Sequence, residues 1–162
     1  MVSRLPLLLY RAVPLLRLQA RSVSTSGYHF NELPLTFSSP YESFYKKQNI
    51  SQVDVSTLSG DMGILPDHVP VIAALSPGLV SVYEENGDIN KFFVSSGVVT
   101  VNEDSSVQIL AEEAAPLTHL DRLEAQKGLD KCQQDLNSAS SEEDRATANI
   151  GIDFYEAALK AL

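Results

Sequence analysis

The chain has 162 residues, 44% hydrophobic and 20% charged, which suits one compact domain or two small ones sharing a core and is too apolar for a disordered chain. Its 12 basic and 21 acidic residues give a net charge of -9, the wrong sign for a nucleic-acid binder whose affinity comes from neutralising phosphates. A single cysteine, Cys132, excludes an internal disulfide framework and a cysteine-based zinc site.

The charge is unevenly spread. The first 31 residues hold Arg4, Arg11, Arg17 and Arg21 and no acid, leaving 8 basic and 21 acidic residues, net -13, in the remaining 131. The leucine-rich stretch from Leu5 to Leu18 is interrupted by Arg11 and Pro14, too short and broken to span a bilayer. Arginine, leucine and serine without acid is the composition of a mitochondrial transit peptide, expected over residues 1–22 and followed by a flexible segment, 23–32.

From Leu33 to Leu110 the pattern is short strands with frequent turns. Val53 and Val55 alternate with polar residues, as on a half-buried strand. The stretch from Leu58 to Val71 reads as a loop unusually rich in apolar side chains, including Met62, Ile64 and Leu65, which needs a core or a partner to cover it. Ser76-Pro77-Gly78 fits a type II turn. Strands are expected at Leu79–Tyr83 and Ile89–Val94, with Asn86-Gly87 making a type I′ hairpin between them. Further strands are expected at Val98–Val101 and Val107–Leu110.

After Pro116 the apolar period changes from about two to about 3.6. Thr118-x-x-Asp121 and Ser140-x-x-Glu143 each read as a capping box opening a helix. Ala125, Leu129, Cys132 and Leu136 make one apolar seam; Ala148, Ile152, Tyr155, Leu159 and Leu162 make another. The expected fold is therefore β + α: an N-terminal antiparallel β-sandwich over residues 33–116, then a C-terminal antiparallel helical hairpin over 117–162. Each helix carries more apolar surface than its partner covers, so a third surface is required.

Motifs for chemistry are lacking. His29, His68 and His119 are not at ligand spacing, and there is no nucleophile elbow, phosphate loop or dinucleotide fingerprint. His68 reads as a loop histidine satisfied by a backbone carbonyl or water, and Cys132 as seam packing. No catalytic residue, cofactor or metal is implied. From the residues alone, two readings stand. One is an interaction subunit; the other is a free-standing mitochondrial β-sandwich protein that binds or converts a small molecule. The strand alternation, pointing valine, isoleucine and phenylalanine inward, favours the first.

The string GDMGILPDHVPV at 60–71, then ALSPG from Ala74, FVSSGVVTV from Phe93 and VQILA from Val107, resembles the family of rotary ATP synthase delta/epsilon subunits. The resemblance runs from about Leu33 to the C-terminus. It implies a β-sandwich with a helical hairpin and a mechanical, non-catalytic role at the foot of the rotor's central stalk. It implies as partners the gamma shaft, the small mitochondrial epsilon subunit and the membrane c-ring, on the matrix side of the inner membrane. By the same resemblance, Asp61, Met62, Gly63, Ile64, Leu65, Pro66 and His68 face the polar loops of the ring, with Asp61 available to a ring lysine or arginine. Some bacterial relatives bind ATP through an Ile/Leu-Asp-x-x-Arg-Ala stretch. In Leu120–Ala125 the arginine position holds Glu124, which repels phosphate and argues against nucleotide binding.

Overall fold

The computed structural model describes residues 32–162. The expected transit segment, 1–22, and all but the last residue of the segment 23–32 lie outside the described residues. Eight strands come first: β1 (Pro34–Ser38), β2 (Ser43–Thr57), β3 (Gly60–Ile64), β4 (Val71–Glu84), β5 (Ile89–Val94), β6 (Gly97–Val101), β7 (Val107–Ala111) and β8 (Ala114–Pro116). A 3-10 turn, Leu117–His119, leads to helices α1 (Arg122–Ser138) and α2 (Glu142–Ala161).

Two long strands organise the sandwich. Residues 43–49 of β2 pair with β1, and residues 50–57 pair with β4 and β3. Residues 71–75 of β4 pair with β6, and residues 78–83 pair with β5. Each long strand thus belongs to both layers, one containing β1, β7 and β6, the other β3, β5 and β8. Between the layers, side chains two apart on each strand interdigitate: Leu35 and Phe37, Val53 and Val55, Val99 and Val101, Val107 and Ile109 are all buried. Phe37 sits among aromatic rings, with centroids 4.9 Å from Phe44 and 5.2 Å from Phe92.

Four local expectations are corrected. Ser76-Pro77-Gly78 is not a turn: β4 runs through it, stepping from Leu75 opposite Thr57 to Val80 opposite Val55. This irregularity is where β4 changes layers, and a proline is tolerated there because no ladder bond is required of its nitrogen. The β4–β5 hairpin forms as expected but not through a type I′ turn. Gly87 has φ +91° while Asn86 does not enter the positive-φ region. The Gly87 N–H donates to Glu84 O at 3.1 Å and the Glu84 N–H to Asp88 O at 2.9 Å, the pattern of a three-residue loop with glycine at the bulge. Residues 60–64, read as loop, form the edge strand β3, in which Met62 and Ile64 alternate inward against Asp61 and Gly63. One strand pair, β1 with β7, is parallel; the whole of β2 to β6 supplies the long crossover such a pair needs.

The helices start later than their expected caps. Thr118 lies in the 3-10 turn, and Asp121 caps α1, its Oδ1 accepting the Leu123 N–H at 2.7 Å. Leu120 is still extended, so the chain reaches helical geometry only after leaving β8. Ser141, rather than Ser140, caps α2, accepting the Asp144 N–H at 3.0 Å. Asp121→Ala is expected to lower the unfolding free energy by about 1 kcal/mol, the usual worth of such a cap, measured as a shift in denaturant midpoint.

The two helices pack closely through glycines. The Tyr155 ring lies where a side chain on Gly128 would go, and a methyl on Gly151 would come within 2.6 Å of Cys132 Sγ. Leu129 is buried; Cys132, Leu136, Ile152, Tyr155 and Leu159 are half-buried. The hairpin also docks on the sandwich, through residues outside the expected seam. Phe154 meets Phe93 edge-to-face at 5.3 Å, and Ala158 is 1% exposed. Phe92 and Phe93 are consecutive on β5, so one faces the core and the other faces α2.

Candidate functional site

One uncovered surface with apolar side chains is an outer sheet face. Ala74, Val98 and Leu110 lie side by side across β4, β6 and β7, followed by Ser38 on β1. The next row is Ile72, Thr100, Gln108 and Thr36. Leu58 extends the first row, its N–H donating to Ala74 O at 3.1 Å. Exposure is 76% for Leu58, 74% for Ile72, 58% for Leu110 and 42% for Val98. Neither row carries a charged residue, although residues 32–162 carry a net -13. An uncharged apolar face on so acidic a protein calls for a partner of matching character.

Sequence alone does not single these residues out, because their neighbours explain the strands without them. The expectation that strand valines and isoleucines point inward holds for Val99, Val101 and Ile109 but not for Val98 or Ile72, and Leu110 stays outside with them. The available signal was adjacency: Val98-Val99 and Ile109-Leu110 are consecutive apolar pairs, and only one member of each can face the core.

The segment 61–68 is divided between strand and loop. Asp61 is exposed at the start of β3, its Oδ1 accepting from Ser56 Oγ at 2.8 Å. Met62 packs against the core from a half-buried position. Gly63 lies opposite Asp54, and a methyl there would sit 3.0 Å from Asp54 Oδ1. Ile64 is buried in the core and presents nothing outward. Leu65 is exposed; Pro66 and His68 are half-buried in the loop that follows. His68 Nδ1–H donates to Val69 O at 2.8 Å, and Asp67 N–H to Ser105 Oγ at 3.3 Å. Asp61 thus sits on the edge strand β3 and His68 in the turn that follows it, where the His68 N–H donates to Leu65 O at 3.2 Å.

A third feature is a cleft of about 510 Å³ between the hairpin and the sandwich, floored by Phe93, Phe154 and Tyr155. Glu42, Glu113, Asp121 and Glu124 line it. Carboxylates concentrated there disfavour a polyphosphate. Equilibrium dialysis against millimolar ATP is expected to show no saturable binding to this chain; a saturable isotherm would overturn that. Among the described residues, no group of three histidine, cysteine or acidic side chains is placed to hold a metal ion.

A polar anchor stiffens the sheet where β2 meets the β4–β5 hairpin. Tyr45 O–H donates to Glu84 Oε1 at 3.1 Å, and Asn90 Nδ2 donates to both at 2.9 and 2.8 Å. Burial raises the Tyr45 pKa above its ordinary value, with the Asn90 hydrogen bond opposing and Glu84 adding to the rise.

Residues 32–117 match the family model described as ATP synthase, Delta/Epsilon chain, beta-sandwich domain. The chain is 43% identical over 130 residues to the mitochondrial ATP synthase subunit delta of Caenorhabditis elegans, covering 80% of this chain and 79% of that one. It is 40% identical over 124 residues to the mitochondrial ATP synthase F(1) complex subunit delta of Dictyostelium discoideum, covering 75% and 73%. It also superposes, with a TM-score of 0.72 and 26% identity, on a chain of the Euglena gracilis mitochondrial ATP synthase, OSCP/F1/c-ring in rotational state 1, covering 77% of this chain and 78% of that one. The sandwich, its layered strands and the docked hairpin are thus those of a known lineage, and this chain belongs to the ATP synthase delta/epsilon family.

Proposed function

We infer that this chain is a non-catalytic central-stalk subunit of the mitochondrial rotary ATP synthase, coupling rotation of the c-ring to the gamma shaft. It turns with the ring at the matrix side of the inner membrane. It is peripheral there: among the described residues no helix is long and apolar enough to cross a membrane. Family membership sets the complex, and the uncharged face of Ile72, Val98 and Leu110 is the observation that carries an interaction role. The interior of the sandwich is filled by apolar side chains, and its clefts lie on the outside, which disfavours a free-standing ligand binder.

The gamma shaft takes the uncharged face, where two packed apolar surfaces transmit torque without a hinge. The ring takes the edge of β3 and the loop after it, with Asp61, Met62, Gly63, Leu65, Pro66 and His68 at the contact and Ile64 as the buried anchor beneath. The small epsilon subunit lies against the same foot. The Asp61 carboxylate, already oriented by Ser56, is suited to a lysine or arginine of the ring. Asp61→Lys is expected to leave the subunit assembled through the shaft face while coupled ATP synthesis falls several-fold. Unchanged synthesis with the variant incorporated would count against the assignment of the ring contact.

The reading as a whole is tested by native-gel fractionation of mitochondria, with immunodetection of the protein and an oligomycin-sensitive ATPase assay on the same lanes. Co-migration with the large ATPase-active complex is expected. A free species of its own mass, absent from that complex, would overturn it.

A further inference from the structure

We propose that Asn86 is a deamidation site that the folded β4–β5 hairpin holds closed, so that its conversion records opening of this turn. The inference is independent of the stalk assignment. An Asn-Gly pair is chemically primed because glycine offers no side chain to obstruct attack by its backbone nitrogen. In the reaction the Gly87 nitrogen loses its proton and bonds to Asn86 Cγ. The bond from Cγ to the side-chain amide nitrogen breaks, and ammonia leaves with the proton. Water then opens the succinimide at either carbonyl, giving aspartate or isoaspartate at position 86. Asn86 and Gly87 are both exposed, so water and base reach them freely.

The hairpin opposes the ring closure and the departure of ammonia. The attacking Gly87 nitrogen keeps its proton in a hydrogen bond to Glu84 O at 3.1 Å. The leaving amide is tied down by Asn86 Nδ2 donating to Asp88 Oδ2 at 2.8 Å. The other end of the carboxamide is held by Asp88 N–H donating to Asn86 Oδ1 at 2.9 Å. Asn86 also occupies the third position of a type I turn, where ψ is ~0°, and closing the five-membered ring needs a different rotation there. All of these restraints are released together when the hairpin opens. The product would then resist reclosure. A carboxylate at 86 replaces the donor to Asp88 and adds a like charge beside Glu84, Glu85 and Asp88.

The test follows the full chain by peptide mapping and mass spectrometry during incubation at neutral pH, folded and in guanidinium. Position 86 is expected to gain one mass unit in the unfolded chain, and to do so more slowly when folded by roughly tenfold or more, since only the open fraction reacts. Asp88→Ala is expected to raise the folded-state rate several-fold with the thermal midpoint little changed. Asp88→Asn, which keeps an acceptor for the carboxamide, is expected to stay slow. Equal rates in folded and unfolded chains would overturn the proposal, as would an inert Asn86 in guanidinium. An Asp88→Ala rate no faster than that of the native chain would do the same.

Discussion

Leu110→Asp is expected to remove the protein from the ATPase-active complex while leaving the isolated chain folded. Leu110 is 58% exposed on β7 and stands in one row with Val98 and Ala74. In the free chain an aspartate there meets water, and the cost is confined to its poorer strand propensity, within about 1 kcal/mol. On the proposed contact, the same carboxylate would be buried against the shaft with no counter-charge in either row of this face. Desolvating an unpaired charge costs several kcal/mol, on the order of an interface hot spot, enough to displace the subunit. The measurement pairs a thermal melt of the purified variant with native-gel migration of the same variant in mitochondria. A normal melt with loss from the complex is the expected pair. Full incorporation of Leu110→Asp would show that this face is not an interface.

The largest effect on stability is expected at Phe37. It is fully buried on β1, between the rings of Phe44 and Phe92 and beside the parallel partner β7. Phe37→Ala removes the ring from a site whose neighbours are strands paired on both sides and cannot collapse. The expected loss is about 3–5 kcal/mol, a large share of the ~5–15 kcal/mol that holds a domain of this size together. Phe37→Leu keeps most of the volume and should lose markedly less. Urea unfolding would show a lower midpoint with an unchanged slope for both. A loss below about 1 kcal/mol for Phe37→Ala would mean that the aromatic cluster is not the centre of the core.

Much of the middle of the chain was legible because its contacts are local. Strand β5 occupies Ile89–Val94, the residues expected, since a hairpin closes over a few residues and its alternation is visible directly. Strands β6 and β7 differ from expectation by one residue at one end each. The errors arose where local and distant demands compete. Pro77 and Gly78 signal a turn, yet the β4 backbone continues because β5 and β6 pair with it on either side. The alternation of Met62 and Ile64 marks a strand, but the flanking glycines and prolines concealed it. Thr118 and Asp121 are both acceptable caps; the 3-10 turn and the extended Leu120 place Asp121 at the helix start.

The sequence by itself determined the change of period from strands to helices, the hairpin at Asn86-Gly87 and the family signature. These depend on backbone preferences and spacings within a few residues. Only the tertiary structure decided which apolar residues stay outside. In Val98-Val99, Ile109-Leu110 and Phe92-Phe93, both members are hydrophobic, and the sheet register alone assigns one to the core. It likewise brought Phe154 onto Phe93 from the far end of the chain. Such placements follow from pairing and packing between segments distant in sequence, where no local periodicity can register them.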